Sequence, residues 1–194
     1  MKPVLIGLYS PVPQSGKSTV AAHLALNHGF QVVKFAQVLK MMTATFLRSL
    51  GYEASDIAEM VEGDRKEEVI PAIGVSTRHL MITLGTDWGR NAVAEDLWVK
   101  AAMTQAHYLL GQGCNVVIDD MRFPNEMNAI ICGYPASATI RIERPDVQST
   151  AASEGLLEGM TFDAHFVNDG DLRDLLNKMD DFLARLHAAV QAWG

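Results

Sequence analysis

The segment Gln14-Ser15-Gly16-Lys17-Ser18-Thr19 constrains the fold more than any other part of the chain. An apolar run, Val4-Leu5-Ile6-Gly7-Leu8-Tyr9, precedes it and reads as a buried strand. The stretch Val20-Ala21-Ala22-His23-Leu24-Ala25-Leu26 follows and reads as a helix with an apolar face. A glycine-lysine-serine turn between a strand and a helix is the setting of a phosphate-binding loop. The first turn of a helix carries unpaired N–H groups and partial positive charge, so it holds an anion. Gly16 lets the backbone approach phosphate oxygens, and Lys17 brings a full charge to the β- and γ-phosphates. The Ser18 hydroxyl suits Mg²⁺. Ser15, Gly16, Lys17, Ser18 and Thr19 are therefore the expected nucleotide-binding residues. One departure stands out. Pro11 occupies the place of the first glycine in G-x-x-x-x-G-K-S/T, and neither Pro11 nor Pro13 has an N–H. The amides that cradle phosphate should come from Ser15 through Thr19.

The remaining chain alternates strands with helices. Phe30 to Ala36 reads as a second strand, after a helix stop at Asn27-His28-Gly29. Leu39, Met42, Phe46, Leu47 and Leu50 fall at helical spacing, and Gly51 ends that helix. Residues 52–75 read as polar and irregular, most of their charges a solvated face. Ser76 or Thr77 caps a helix running from Arg78 to Leu84, and Gly85 to Arg90 reads as turn-rich. A helix from Asp96 to Leu110 leads to the apolar strand Asn115 to Asp120. Pro124 opens the next helix. Ala138 to Glu143 is a strand, and Ala164 to Val167 a last short one. Leu172 to Leu186 marks a long amphipathic helix. This alternation predicts an α/β, three-layer fold: a parallel sheet of about five strands with helices on both faces. Residues 1–194 read as a single domain, with a substrate-binding helical region at about 37–98 and a lid at about 146–162.

Ligands of such sheets bind at the C-terminal ends of the strands, where Lys17, Asp119, Asp120 and Arg144 gather. Successive side chains alternate along a strand, so Asp119 and Asp120 cannot both face the site. One carboxylate there holds a metal ion or orients an acceptor oxygen. Phosphoryl transfer also needs cations. Between Arg144 and Arg173 there is no Lys or Arg, so the lid offers none. Arg122 and Arg144 follow strand ends and are the expected catalytic cations beside Lys17. Arg141 reads equally well as an ordinary strand residue.

With 16 basic and 23 acidic residues the net charge is −7, a poor footprint for nucleic acid. Cys114 and Cys132 have no metal-like spacing and read as reduced thiols of a cytoplasmic protein. No run reaches the ~18–20 apolar residues of a membrane span.

Several segments, in order, resemble the bacteriophage-type deoxynucleoside monophosphate kinases. They are Ser15 to Thr19, Phe35-Ala36-Gln37-Val38-Leu39-Lys40, Leu84-Gly85-Thr86-Asp87-Trp88-Gly89-Arg90 with Asp96-Leu97-Trp98, Asp120-Met121-Arg122-Phe123-Pro124-Asn125-Glu126, and Asn168-Asp169-Gly170-Asp171-Leu172. Gln37 replaces an acid of the family pattern. The resemblance implies ATP with Mg²⁺ as donor and a deoxynucleoside 5′-monophosphate as acceptor. It favours Asp120 as the metal carboxylate with Ser18. Lys40, Arg78 and Arg90 are the expected contacts to the acceptor, and Trp88 either stacks on its base or packs in the core. The expected partners are these small molecules, with no nucleic acid and no membrane, and a homodimer stays open. Rival readings are a kinase of dephospho-coenzyme A or of a modified base in DNA, and a nucleotide-binding switch without transfer.

Overall fold

The computed structural model describes residues 2–145, 147 and 156–192. The nine residues 146 and 148–155, most of the expected lid, lie outside them. Two compact units emerge, one formed by Met1–Phe35 with Met103–Gly194 and the other by Ala36–Ala102.

The first unit is built on five parallel strands: β1 (Leu5–Tyr9), β2 (Gln31–Val33), β5 (Val116–Ile118), β6 (Ser137–Glu143) and β7 (Ala164–Val167). Their order is β2-β5-β1-β6-β7. Strand β1 is central, pairing Ile6 with Val117 on one side and with Ala138 on the other. All five of its residues are buried, as expected of a strand covered on both faces. Helices α1 (Lys17–His28) and α7 (Leu172–Ala192) supply one cover. Val20, Ala21, Leu24, Leu175, Met179 and Leu183 pack there against Ile6, Leu8, Val117 and Ile140. On the other face lies α6 (Pro124–Gly133), with Pro124 in its first turn. A Cβ on Gly7 would come within 2.6 Å of Ile130 Cδ1, so this glycine permits the close approach of α6. Helix α5 (Leu97–Gly111) ends in this unit, and His107 Nε2 lies 3.0 Å from the Gly133 carbonyl of α6.

Strand β2 is shorter than the expected span of 30–36. The Phe35 N–H leaves the ladder and donates to Asp120 Oδ1 at 2.8 Å. Gly29 caps α1 in the left-handed region, at φ 69°. The end of the expected lid is anchored by apolar side chains: Leu157 is fully buried, and Phe162 stacks on Tyr9 at 5.4 Å.

The second unit corrects two expectations. Residues 52–75 are ordered. Helix α3 (Ala54–Val61) buries Ile57, Met60 and Val61, spaced to lie on one face. A 3₁₀ turn (Asp64–Glu67) and a small hairpin, β3 (Val69–Ile70) with β4 (Val75–Ser76), follow. These residues pack with Leu47 of α2 (Gln37–Ser49) and with Ile70. Second, Gly85 to Arg90 is not a turn. Helix α4 (Thr77–Ile82), capped by the Ser76 hydroxyl at 3.2 Å from the His79 N–H, runs on into a π-helix over Thr83–Val93. The Ala94 N–H reaches back five residues to the Gly89 carbonyl at 2.9 Å. Trp98 explains why the glycines do not break this helix. Its indole N–H donates to the Gly85 carbonyl at 2.8 Å, and a Cβ on Gly89 would sit 2.5 Å from Trp98 Nε1. Among the described residues no helix is long and apolar enough to cross a membrane.

Candidate active site

The loop between β1 and α1 surrounds a cavity of about 430 Å³ lined by Gln14 through Thr19, with Arg144, Asn168, Gly170 and Leu172. The loop turns without a glycine at position 11. Ser10 is buried, and its hydroxyl accepts the Val12 N–H at 3.2 Å while facing the Val12 carbonyl at 3.1 Å. Gln14 (φ 52°) and Gly16 (φ 105°) then make the left-handed bends. A Cβ on Gly16 would lie 2.9 Å from Leu175 Cδ2 and 3.1 Å from Asn168 Nδ2, so the position admits little but glycine. Gly16 is the N-cap of α1, with no side-chain cap and no acid in the first turn. The positive end of the helix therefore meets the cavity without a built-in counter-charge. Ser15 is buried, and its hydroxyl has no hydrogen-bond partner among the described residues.

Two residues from distant parts of the chain hold this loop. Arg144 donates from Nη1 to the Gln14 carbonyl at 2.7 Å. Asn168 donates its side-chain amide to the Ser15 carbonyl at 2.9 Å, and its own N–H goes to the Glu143 carbonyl at 2.8 Å.

The two carboxylates at the end of β5 have parted roles. Asp120 Oδ1 accepts the Phe35 N–H. Asp119 is buried, with Oδ2 3.7 Å from Lys34 Nζ and Oδ1 without a hydrogen-bond partner among the described residues. It stands two residues beyond Val117, which packs in the same core as Val20, Ala21 and Leu24 of α1. Alternation along the strand puts Asp119 on that face, the side from which the phosphate loop enters α1. Arg122 is exposed in the turn before α6. Its N–H donates to Glu126 Oε2 at 2.7 Å, and the Phe123 N–H joins it at 3.1 Å. Buried Glu126 thus caps α6 from inside its first turn.

The residues expected to contact the acceptor lie in the second unit. Lys40 Nζ meets Glu62 Oε2 at 2.7 Å, and Arg78 pairs with Glu67. Lys66 joins them: partial burial first, then the charges of Lys40 and Arg78, lower its pKa below the ordinary value. Arg90 donates to the Glu95 carbonyl at 3.4 Å. Trp88 is 44% exposed, with its ring 6.1 Å from the buried ring of Trp98. Of the two tryptophans, Trp98 is the core residue.

The family model described as deoxynucleotide monophosphate kinase matches residues 32–179. The chain belongs to that family. The kinase is a phosphotransferase acting on deoxynucleoside monophosphates. No curated protein matches it. Among solved structures it is similar to a cysteine-to-alanine mutant of the Mycobacterium tuberculosis APS kinase CysC. Identity there is 13%, over 94% of this chain and 98% of that one, with a TM-score of 0.48. An unliganded sugar kinase from Janibacter is also 13% identical, over 95% of each chain, with a TM-score of 0.49. The family match begins beyond the phosphate loop, so the loop's role in this kinase stands on its own geometry.

The sequence pattern gives no sign of the brace that Asn168 makes. Asn168 is visible as a motif but its target, 153 residues away, is not.

Proposed function

We propose that the kinase transfers the γ-phosphoryl of ATP, with Mg²⁺, to a deoxynucleoside 5′-monophosphate, and that the Gln14–Thr19 loop is the donor site. The observation that carries this reading is the cavity of about 430 Å³ bounded by that loop, Arg144 and Asn168. Its residues fit a polyphosphate. Lys17 supplies charge, the first turn of α1 supplies amides, and the space at Gly16 stays open because no Cβ fills it.

The donor set also fits Mg²⁺, a hard cation that takes oxygen ligands. Ser18 and Asp119 would hold it, because Asp119 carries the orphaned buried oxygen and Asp120 spends one oxygen on Phe35. This reassigns the metal carboxylate from Asp120 to its neighbour. Held there, Mg²⁺ would supply charge neutralisation for the phosphates of the donor. Arg144 already spans from β6 to the loop and can turn a second guanidinium edge toward the transferring phosphoryl. Arg122 is offered as a further cation from the turn after β5.

For the acceptor, Lys40, Lys66 and Arg78 form a group of cations that an incoming phosphate dianion would pair, displacing Glu62 and Glu67. Arg90 adds a bidentate contact, and the exposed face of Trp88 offers a stacking surface for the base. An acidic chain with a few placed cations suits small nucleotides and not polymeric nucleic acid. The test is a transfer assay with ATP against the common and modified deoxynucleoside monophosphates, with Mg²⁺ and with EDTA. Nucleoside diphosphate should appear only with Mg²⁺. ATP binding with no phosphorylated acceptor in any lane would overturn the assignment.

A further inference from the structure

We propose that His23, His28 and Asp180 form a site for a divalent transition-metal cation, zinc being the type ion, that clasps α1 to α7. His23 Nε2 and His28 Nε2 each lie 2.7 Å from the same oxygen, Asp180 Oδ1. One ligand atom from each of the three residues can be chosen so that all lie within 4.8 Å of one another. Ideal spacing does not produce this arrangement. Residues five apart on a helix project about 140° from each other, so both rings must turn toward Asp180 to meet there. Their centroids are 5.4 Å apart at 63°, edge to face, and so the rings aim inward without stacking.

The donor chemistry selects the ion. Two imidazoles with a carboxylate suit borderline cations such as Zn²⁺, whereas Mg²⁺ prefers oxygen. None of the three residues lines the phosphate-loop cavity, so this is a separate site. One further feature favours a cation. His28 is the last residue of α1, at the negative end of the helix. The Asn27 side-chain amide lies 2.8 Å from His23 Nδ1. Only with that amide flipped would its oxygen accept Nδ1–H and leave Nε2 free to ligate.

The room needed is small. Tetrahedral bonds of ~2.0 Å place ligand atoms ~3.3 Å apart, so each 2.7 Å contact must open by about half an ångström. Asp180, with its side chain 41% exposed, can swing that far, and water can take the fourth position. The consequence is mechanical. Helix α7 carries Leu175, which packs on Gly16 at the start of α1. A metal farther along the same two helices, held by the second half of α1 and the middle of α7, would stiffen the seat of the phosphate loop.

The experiment uses the full chain, stripped with EDTA and free of nucleotide. ZnCl₂ is titrated by calorimetry, and CoCl₂ is added in parallel for its visible spectrum. Expected are uptake of one zinc per chain, a rise in Tm, and the intense absorption of tetrahedral cobalt. His28→Gln, at an exposed position, and Asp180→Asn, at a half-buried one, should each weaken zinc by about tenfold or more, while Ser18→Ala leaves it unchanged. No uptake by the wild type at sub-millimolar zinc would overturn the proposal. So would unchanged zinc affinity in both ligand variants. Loss of binding in Ser18→Ala alone would move the ion to the phosphate loop and overturn it too.

Discussion

Asn168 hands its side-chain amide to the Ser15 carbonyl at 2.9 Å, tying the end of β7 to the phosphate loop across 153 positions of sequence. Its own N–H is fixed by Glu143, so the brace is anchored in the sheet. Gln14 sits at φ 52° without being glycine, a conformation that costs ~1–2 kcal/mol. Arg144, bonded to the Gln14 carbonyl, helps to hold it there. The loop's shape thus depends on β6 and β7 as well as on its own residues. Asn168→Ala should remove one neutral hydrogen bond, worth about 0.5–1.5 kcal/mol. We expect kcat/KM for ATP to fall by up to about tenfold, with little change in Tm. Steady-state kinetics with ATP varied, beside a thermal melt, check this. Normal ATP kinetics would mean that the loop holds itself.

Lys17→Ala tests the donor site directly. Lys17 lies in the first turn of α1, outside the buried core of that helix at Val20, Ala21 and Leu24. The fold should survive, while transfer falls by orders of magnitude because charge neutralisation is most of the catalysis. Circular dichroism and turnover at saturating substrates give the two readings. A folded variant with near-normal turnover would remove Lys17 from the mechanism.

The carboxylate pair should divide by kind of defect. Asp119→Asn should raise the Mg²⁺ concentration needed for half-maximal transfer and leave Tm near wild type. Asp120→Ala orphans the Phe35 N–H and should destabilise the protein by about 1–3 kcal/mol. A Mg²⁺ titration of activity and a denaturant melt on each variant decide the matter. If Asp120→Ala shifted the Mg²⁺ requirement and Asp119→Asn did not, the metal carboxylate would return to Asp120.

Acid should loosen the contact between α1 and α7. Burial, and next the charge of His28, lower the pKa of His187 below its usual 6.5. The folded state therefore takes up this proton later than the unfolded chain does. Its contribution is complete above pH 6.5 and is lost as pH falls through the folded value. Burial works to raise the Asp180 carboxyl, but hydrogen bonds from His23 and His28 hold it below its usual 3.8. That contribution persists above pH 3.8 and is lost below it. Tm should thus be flat above neutral pH and decline in acid. His187→Gln should flatten the part of the decline that begins near pH 6.5. An unchanged pH profile in this variant would assign the decline to other groups.

Local signals carried much of the fold. The apolar run of β1, the glycine after α1 and Pro124 at the start of α6 each act over a few residues, and each appears where the pattern put it. What was illegible depends on contacts between distant residues. Gly85 and Gly89 look like helix breakers until Trp98 is packed on them, because only that packing explains the wide helix. Helix α3 is eight residues long, and its apolar positions are outnumbered by charges nearby. In the candidate site the loop was legible as a motif. The division of labour between Asp119 and Asp120 was not, since it follows from where Phe35 leaves β2.

The two arginines proposed for the acceptor give the sharpest kinetic test. A monophosphate brings close to two negative charges, and a site that excludes water must pair them. Arg78 now pairs with exposed Glu67, an ion pair of small worth at the surface. A dianion can replace that partner at little cost. Arg90 donates to the Glu95 carbonyl at 3.4 Å, a bond at the weak end of the range. Losing a charge-assisted contact costs about 1.5–3 kcal/mol, roughly tenfold to over a hundredfold in affinity. Arg78→Ala and Arg90→Ala should therefore raise KM for the deoxynucleoside monophosphate by that factor and leave KM for ATP nearly unchanged. Glu67→Gln, which releases Arg78 from its present partner, should lower the monophosphate KM modestly. Initial rates with each substrate varied at saturation of the other separate these effects. Should both arginine variants raise KM for ATP and spare the monophosphate, these side chains would serve the donor.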